Sequence, residues 1–380
     1  MVRKIFALLL VLSLPTGVLA YAEEGIKIGV DTPLTGSGAT PGHMLLWGFQ
    51  IAADEVNAKG GILGKKIIPV VRDDESQVQK AITNVKELIH KENVCAVFGP
   101  VNSGSAMAFF PIMQQAKIPV LTSVATAAQL IPMYNNEPKS YVFRSALHDS
   151  GQVQLMVKWG SKKFKKIGIA ADSAGYGQFG QQSVVEELAK IGIKPAEIVK
   201  FNYGDTDMSA QMGKLKAAGC DGVIVFTLGP EVANVIKSSE KIGYSPTFFG
   251  PWTFFHNEVA NLPDRLKNGS VGVVSSTPTD SDKARAIDKA MREKYVKEGF
   301  YPFTFVAVSY EGAMLLFEAI AKAGTTDPEK IRDALENLEN FKGVSKVFPR
   351  PFSKTNHELY SPEDMYLAVW KDGQPVPVKD

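Results

Sequence analysis

Val94-Cys95-Ala96-Val97-Phe98-Gly99-Pro100-Val101-Asn102-Ser103-Gly104-Ser105 decides the fold class of this chain. Its first five residues are apolar throughout, the composition of a strand buried on both faces. Gly99-Pro100 punctuates the run, and Asn102, Ser103 and Ser105 are residue types that open helices. The stretch Ser105–Gln115 then has helical period. A buried strand, a glycine-containing loop and a helix in that order make one βα unit of a parallel sheet.

Toward the N-terminus the same alternation recurs. Ile26–Val30 and Ile67–Arg72 read as strands, Pro41–Ala58 and Gln77–Lys91 as helices, and Gly60-Gly61 stops the first helix. Ile118–Thr122 supplies a fourth strand. After Tyr141-Val142-Phe143-Arg144 the rhythm restarts, with helices from about Ser150, from about Gly177, at Ser209–Ala218 and at Glu231–Ile242. Strands at Lys166–Ala171, Glu197–Phe201, Gly222–Phe226 and near Phe248-Phe249 separate them. An extended run from Val271, helices Ser281–Lys297 and Thr304–Ala323, another from Pro328, and a last strand Met365–Trp370 carry no signal for a third domain. The late segments must pack back on what precedes them. The expected fold is α/β, two doubly wound parallel-sheet lobes joined by a multi-strand hinge. The expected lobes are residues 23–143 with about 277–340, and 144–276 with about 341–380.

Composition narrows the function. Arg3-Lys4, the apolar run Ile5–Leu14 and the small residues Ala20 and Ala22 have the layout of a cleavable secretory signal, expected at residues 1–22. The apolar run is too short for a bilayer core, which takes about 20 residues. With no cysteine behind it and no arginine pair, a free periplasmic protein is expected, not a lipoprotein. Of 42 Lys+Arg against 40 Asp+Glu, Arg3 and Lys4 fall in the signal, so the remainder is formally neutral and nucleic acid is an unsuitable partner. Cys95 and Cys220 sit in separate apolar settings and read as buried, unpaired residues. His43, His90, His148, His256 and His357 are scattered without metal-ligand spacing, and no nucleophile elbow, zinc-protease helix or P-loop motif occurs, so neither a catalytic centre nor a metal or other cofactor is expected.

Ile26-Lys27-Ile28-Gly29-Val30 with Leu34-Thr35-Gly36, the turn Asn57-Ala58-Lys59-Gly60-Gly61-Ile62, Asp73-Asp74 and the Gly99 loop come in the order seen in the leucine/isoleucine/valine-binding protein family, which the chain resembles from about residue 25 onward. The resemblance implies a type I periplasmic binding fold with a three-stranded hinge, a ligand enclosed between lobes, an ABC permease in the inner membrane as partner, a monomer, and no catalysis. Read from the residues alone, the Gly99–Ser105 loop is also where an anion should settle, because helix N-termini beyond strand ends present unpaired N–H groups.

Ser103 is the first choice for gripping a carboxylate, beside Asn102; Ser103 capping its own helix is the alternative. In the next loop, Leu121-Thr122-Ser123-Val124-Ala125-Thr126, the resemblance assigns a backbone carbonyl to Val124 and a hydroxyl to Thr126, although Thr126 can also open a short helix at Ala127–Ile131. Tyr176 matches a tyrosine that covers the ligand from the opposite lobe. Gly175-Tyr176-Gly177-Gln178-Phe179-Gly180 spells a dinucleotide fingerprint, but Asp172-Ser173-Ala174 separate it from its strand and Asp205 falls too late for a ribose-binding acid. It is read as coincidence. Asp73-Asp74 is read as a strand-end cap and turn.

One departure stands out. Where amino-acid binders of the family place a glutamate for the ligand ammonium, this chain has Gly250-Pro251-Trp252-Thr253. Trp252 offers at most a cation–π face. Either Glu311 or Asp172 replaces the acid, or the ligand has no ammonium; Phe254, Phe255 and Leu228 add apolar surface nearby. The expected function is capture of a branched-chain or hydrophobic amino acid, or a related small carboxylate, for an ABC importer. A periplasmic sensor subunit for a small aromatic or aliphatic carboxylate is the alternative.

Overall fold

The computed structural model describes residues 25–378, and the export signal expected at 1–22 lies outside them. The chain runs β1 (Ile26–Thr32), α1 (Ala39–Ala58), β2 (Ile67–Asp73), α2 (Val78–His90), β3 (Val97–Phe98), α3 (Ser103–Ala116), β4 (Val120–Thr122) and β5 (Val142–Arg144). These strands form one parallel sheet in the order β2-β1-β3-β4-β5. Then come α4 (Asp149–Lys163), β6 (Ile167–Asp172), α5 (Gly175–Lys190), β7 (Glu197–Phe201), α6 (Ser209–Ala218), β8 (Gly222–Phe226), α7 (Gly229–Lys241), β9 (Thr247–Phe249), α8 (Asn257–Ala260), α9 (Asp264–Lys267) and β10 (Val271–Val274). The second sheet has the order β10-β9-β8-β6-β7 among its parallel strands.

Within each set of five the first strand lies between the second and the third. This arrangement creates a crevice beyond the strand ends where the first and third strands diverge, the ligand position of open α/β sheets. The restart of the βα rhythm after Arg144 is therefore a structural repeat, and each half brings such a crevice.

The remaining chain closes both halves. Helices α10 (Asp282–Lys294), α11 (Phe303–Ala323) and α12 (Pro328–Glu336) return to the first sheet, where α11 lies along α1. Gly48 allows that approach, since a Cβ there would stand 2.6 Å from the Val306 carbonyl oxygen. α11 is long and apolar enough to cross a membrane, but its apolar window is 89% buried in this packing, so its composition is that of a core helix. A small hairpin, β11 (Phe341–Lys342) and β12 (Val347–Phe348), follows. The Val344 N–H of this hairpin donates to Glu311 of α11, and residues 357–359 run beside Arg144 of β5. Only β13 (Tyr366–Lys371) and β14 (Gln374–Pro377) then join the second sheet, antiparallel at its β10 edge. The chain thus passes between the halves at 145–148, 275–281 and 360–365.

Cys95 and Cys220 are buried and free. Asp73 accepts the Leu34 and Glu75 N–H groups and Asp74 accepts that of Ser76, the cap-and-turn role read from the sequence.

Candidate functional site

The loops that leave β3, β4, β6, β8 and β9 meet at one small interlobe cavity. Asn102, Ser103, Val124, Thr126, Tyr176 and Trp252, named from the sequence, all line it. The first four come from the first half, Tyr176 and Trp252 from the second. The halves also touch directly here, the Thr40 hydroxyl donating to Glu258 at 2.9 Å.

Ser103 begins α3 and is 2% exposed. Asn102 holds the N-cap position, and Ser103 turns to the other loop, its Oγ accepting the Ala127 N–H at 3.3 Å. The capping alternative is not what the geometry realises. With one lone pair occupied, the Ser103 hydroxyl proton stays available to an anion. Thr122 ties the same two loops together, donating to the Pro100 carbonyl at 2.9 Å and accepting the Ala125 N–H at 3.1 Å. The helix expected at Ala127–Ile131 is absent: turns there lead into a short 3₁₀ segment at Pro132–Tyr134. Arg144 fixes this stretch, donating from Nη1 to the Ala127 carbonyl at 2.9 Å.

Tyr176 lies in the first turn of α5 with its ring 5.1 Å from that of Phe226. Its hydroxyl is buried, faces Thr126 and Thr253 across the cavity and makes no hydrogen bond. The glycines around it serve packing: a Cβ on Gly177 would meet the Asp172 carbonyl and one on Gly180 the Phe226 ring, at 2.5 and 2.0 Å. No phosphate cradle is needed to explain them.

Trp252 is 2% exposed and stacks on Phe305 with ring centres 3.8 Å apart. Its backbone N–H is held by Gln152 at 2.9 Å. The pair also walls off a neighbouring cavity of about 70 Å³ to which Phe255 contributes, whereas Leu228 lines the interlobe cavity itself. Phe254 lies in the core of the second half. Phe305, Thr253 and His256 line the site and were not read from the sequence. Phe305 passes there as one more apolar residue on a core helix.

Neither expected replacement for the missing glutamate reaches this cavity. Glu311 accepts the Val344 N–H and the Tyr360 hydroxyl, so it ties α11 to the C-terminal segment. Asp172 caps its own loop, accepting the Ala174 N–H at 2.7 Å. Asp149, which the sequence shows only as the start of a helix, does not line the cavity either but lies behind it, against Thr126. It is fully buried, its N–H donates to the Thr126 carbonyl at 2.8 Å, and its Oδ2 has no partner. Burial pushes its carboxyl up to about 7, against the pull of Thr126 and Arg144.

Asp149 is one of several buried carboxyls whose protonated form burial favours. Burial also raises Asp74 to about 6 and Glu231 and Glu311 to about 7. A raised carboxyl keeps its proton in the fold while the unfolded chain releases it above about pH 4, so each loses stability as pH rises from there to its folded value. His148, His256 and His357, lowered by burial, act oppositely below about pH 6.5, but they are fewer. Unfolding in urea should therefore show lower stability at pH 7.5 than at pH 5, on the order of 2 kcal/mol. The reverse order would mean these carboxyls are ionised in the fold.

Among the described residues no group of three or more His, Cys, Asp or Glu is placed to hold a metal. Comparison with known proteins agrees with a binding site. Residues 25–375 match the family described as periplasmic binding protein. The Leu/Ile/Val-binding protein homolog 1 of Brucella abortus is 29% identical over 86% of each chain. A type 1 periplasmic binding protein from Bordetella pertussis has a TM-score of 0.85 at 26% identity, covering 93% of this chain and 100% of that one. The branched-chain amino acid transporter substrate-binding protein LivJ of Streptococcus pneumoniae, solved with isoleucine, has a TM-score of 0.82 at 26% identity over 94% and 100%. This chain belongs to the periplasmic binding protein family, in its Leu/Ile/Val-binding type, with the type I fold and a solute-binding, non-enzymatic role.

Proposed function

We propose that the protein is exported to the periplasm, captures a small carboxylate with an apolar body between its lobes as a monomer, and presents it to an ABC permease in the inner membrane. The lobes are taken as residues 25–144 with 282–359, and 149–274 with 366–378; residues 341–359, expected with the second lobe, go with the first because they are tied to Glu311 of α11 and Arg144 of β5. The observation that carries the reading is the convergence of loops from both halves on one cavity. Its polar groups include the Ser103, Thr126, Thr253 and Tyr176 hydroxyls with Asn102 and His256, and its apolar walls include Val101, Val124, Leu228, Trp252 and Phe305. Donors at a helix N-terminus suit a carboxylate, and the aromatic and aliphatic walls suit a hydrophobic body. The LivJ relative, solved with isoleucine, and the Brucella Leu/Ile/Val-binding homologue support a ligand of this size and kind.

Calorimetric titration with hydrophobic amino acids and organic acids tests the reading. At least one should bind, and Ser103→Ala should weaken it by about 1.5–3 kcal/mol, roughly ten- to a hundredfold, through loss of one charge-assisted hydrogen bond. Unchanged affinity would mean that Ser103 serves only to hold Ala127.

A further inference from the structure

His256 carries a directional signal that no tally of hydrophobic walls contains. It ends the short Trp252–Phe255 turn, is 1% exposed and lines the interlobe cavity. Its Nδ1 lies 3.3 Å from the backbone N–H of Gly229, the first residue of α7. A backbone N–H can only donate, so Nδ1 accepts and carries no proton. Turning the ring over would set a C–H against that N–H and lose the bond. Gly229 is needed for this approach, since a Cβ there would stand 2.3 Å from the His256 Cβ. Burial holds the imidazole neutral, its pKa pushed down to about 4 against the pull of Glu258. A neutral ring with a bare Nδ1 has its single proton on Nε2.

That Nε2–H has no acceptor among the described residues. Phe305, with its ring centre 4.9 Å away and its plane inclined at 69°, offers no lone pair. Glu258 turns one oxygen to Thr40, and its other oxygen is likewise without a partner. A buried donor without a partner is costly, so a ligand that supplies an acceptor here is favoured and one that does not is penalised. An ammonium supplies only protons and would meet the His256 N–H donor to donor.

We propose that His256 Nε2–H donates to an oxygen carried next to the ligand carboxylate, and that the solute class is 2-oxo carboxylates with an apolar tail. This rests on the small-carboxylate reading above. Ser103 and His256 line the same small cavity, so carboxylate and acceptor must lie within a few bonds of each other. A carbonyl at the α carbon is the shortest such arrangement, and it has no proton to set against the imidazole.

The test is calorimetric titration of 4-methyl-2-oxopentanoate against 4-methylpentanoate, which lacks only the keto oxygen. The wild-type protein should prefer the oxo acid at least about tenfold, as sites built around a hydrogen bond reject analogues lacking the partner. His256→Phe should remove the preference, bringing the two acids to within about threefold of each other. His256→Gln, which keeps an N–H, should retain part of the preference, and melting curves of both variants establish that they fold. Gly229→Ala, which displaces the ring, should act like His256→Phe. Equal binding of the two acids by the wild type, or a preference that survives His256→Phe, overturns the proposal and leaves the carboxylate reading standing. Tighter binding of 2-hydroxy-4-methylpentanoate than of the oxo acid overturns the oxo assignment. If no carboxylate binds, the reading itself fails, and this inference with it.

Discussion

Arg144→Ala should destabilise the protein by about 3–5 kcal/mol, the usual cost of removing one partner of a buried ion pair. Arg144 closes β5 at the point where the chain leaves the first half, and it is fully buried. Its guanidinium makes a two-pronged pair with Glu358, Nε to Oε2 at 2.7 Å and Nη2 to Oε1 at 2.5 Å. The remaining nitrogen holds the Ala125 and Ala127 carbonyls, which flank Thr126. The backbones of the two segments are joined as well, the Arg144 N–H donating to the His357 carbonyl and the Leu359 N–H to the Arg144 carbonyl. One side chain therefore fastens the returning C-terminal segment to the sheet edge and sets the loop that presents Thr126. Truncation leaves a carboxylate and two carbonyls without their donor. Urea unfolding at fixed pH measures the loss. Glu358→Gln, which keeps one acceptor for the fork, should cost less. A loss below about 1 kcal/mol for Arg144→Ala would put this pair in the class of surface ion pairs.

Long-range ties of this kind were not legible in the sequence, and the reason is physical. Periodicity reports which face of a segment is buried, and it worked wherever a segment was long or strongly patterned: Ile67–Arg72 against the observed Ile67–Asp73, or Thr304–Ala323 against Phe303–Ala323. It failed at short elements. β3 retains only Val97 and Phe98 of the expected Val94–Phe98 run, and β14 and the β11–β12 hairpin are too short and too mixed in polarity to show a period of two. In the cavity, the residues found from sequence sit just beyond strand ends, where topology alone points to a ligand. Those missed carry no local mark. Asp149 becomes significant because Thr126 and Tyr176 surround it, His256 because Gly229 fixes its proton, and Phe305 because it arrives from a helix far along the chain. Glu311 shows the opposite error: an acid in an apolar helix invites a role at the ligand, but its oxygens are taken by Val344 and Tyr360.

The wild-type protein should bind a deaminated carboxylate more than tenfold tighter than the matching amino acid, phenylpropionate over phenylalanine or 4-methyl-2-oxopentanoate over leucine. The position where an ammonium acceptor is expected holds Trp252, stacked on Phe305 and pinned at its backbone by Gln152. The adjoining wall includes Thr253 and His256, whose Nε2–H has no partner among the described residues. Burying an ammonium against such a wall costs several kcal/mol unless a carboxylate answers it. Asp149, behind Thr126, is the acid that would have to do so, yet with its carboxyl held up at about 7 it is as often protonated as not near neutral pH. Recruiting it means stripping that proton inside a buried site, and the strip offsets part of what the ion pair gains. Titration of each matched pair reads out the amino group alone. If the amino acid wins by tenfold, Asp149 has become its counter-charge, and Asp149→Asn must then abolish the advantage while sparing the deaminated partner. If Asp149→Asn leaves both affinities unchanged and the deaminated acid still wins, the selectivity lies in the Trp252 and His256 wall.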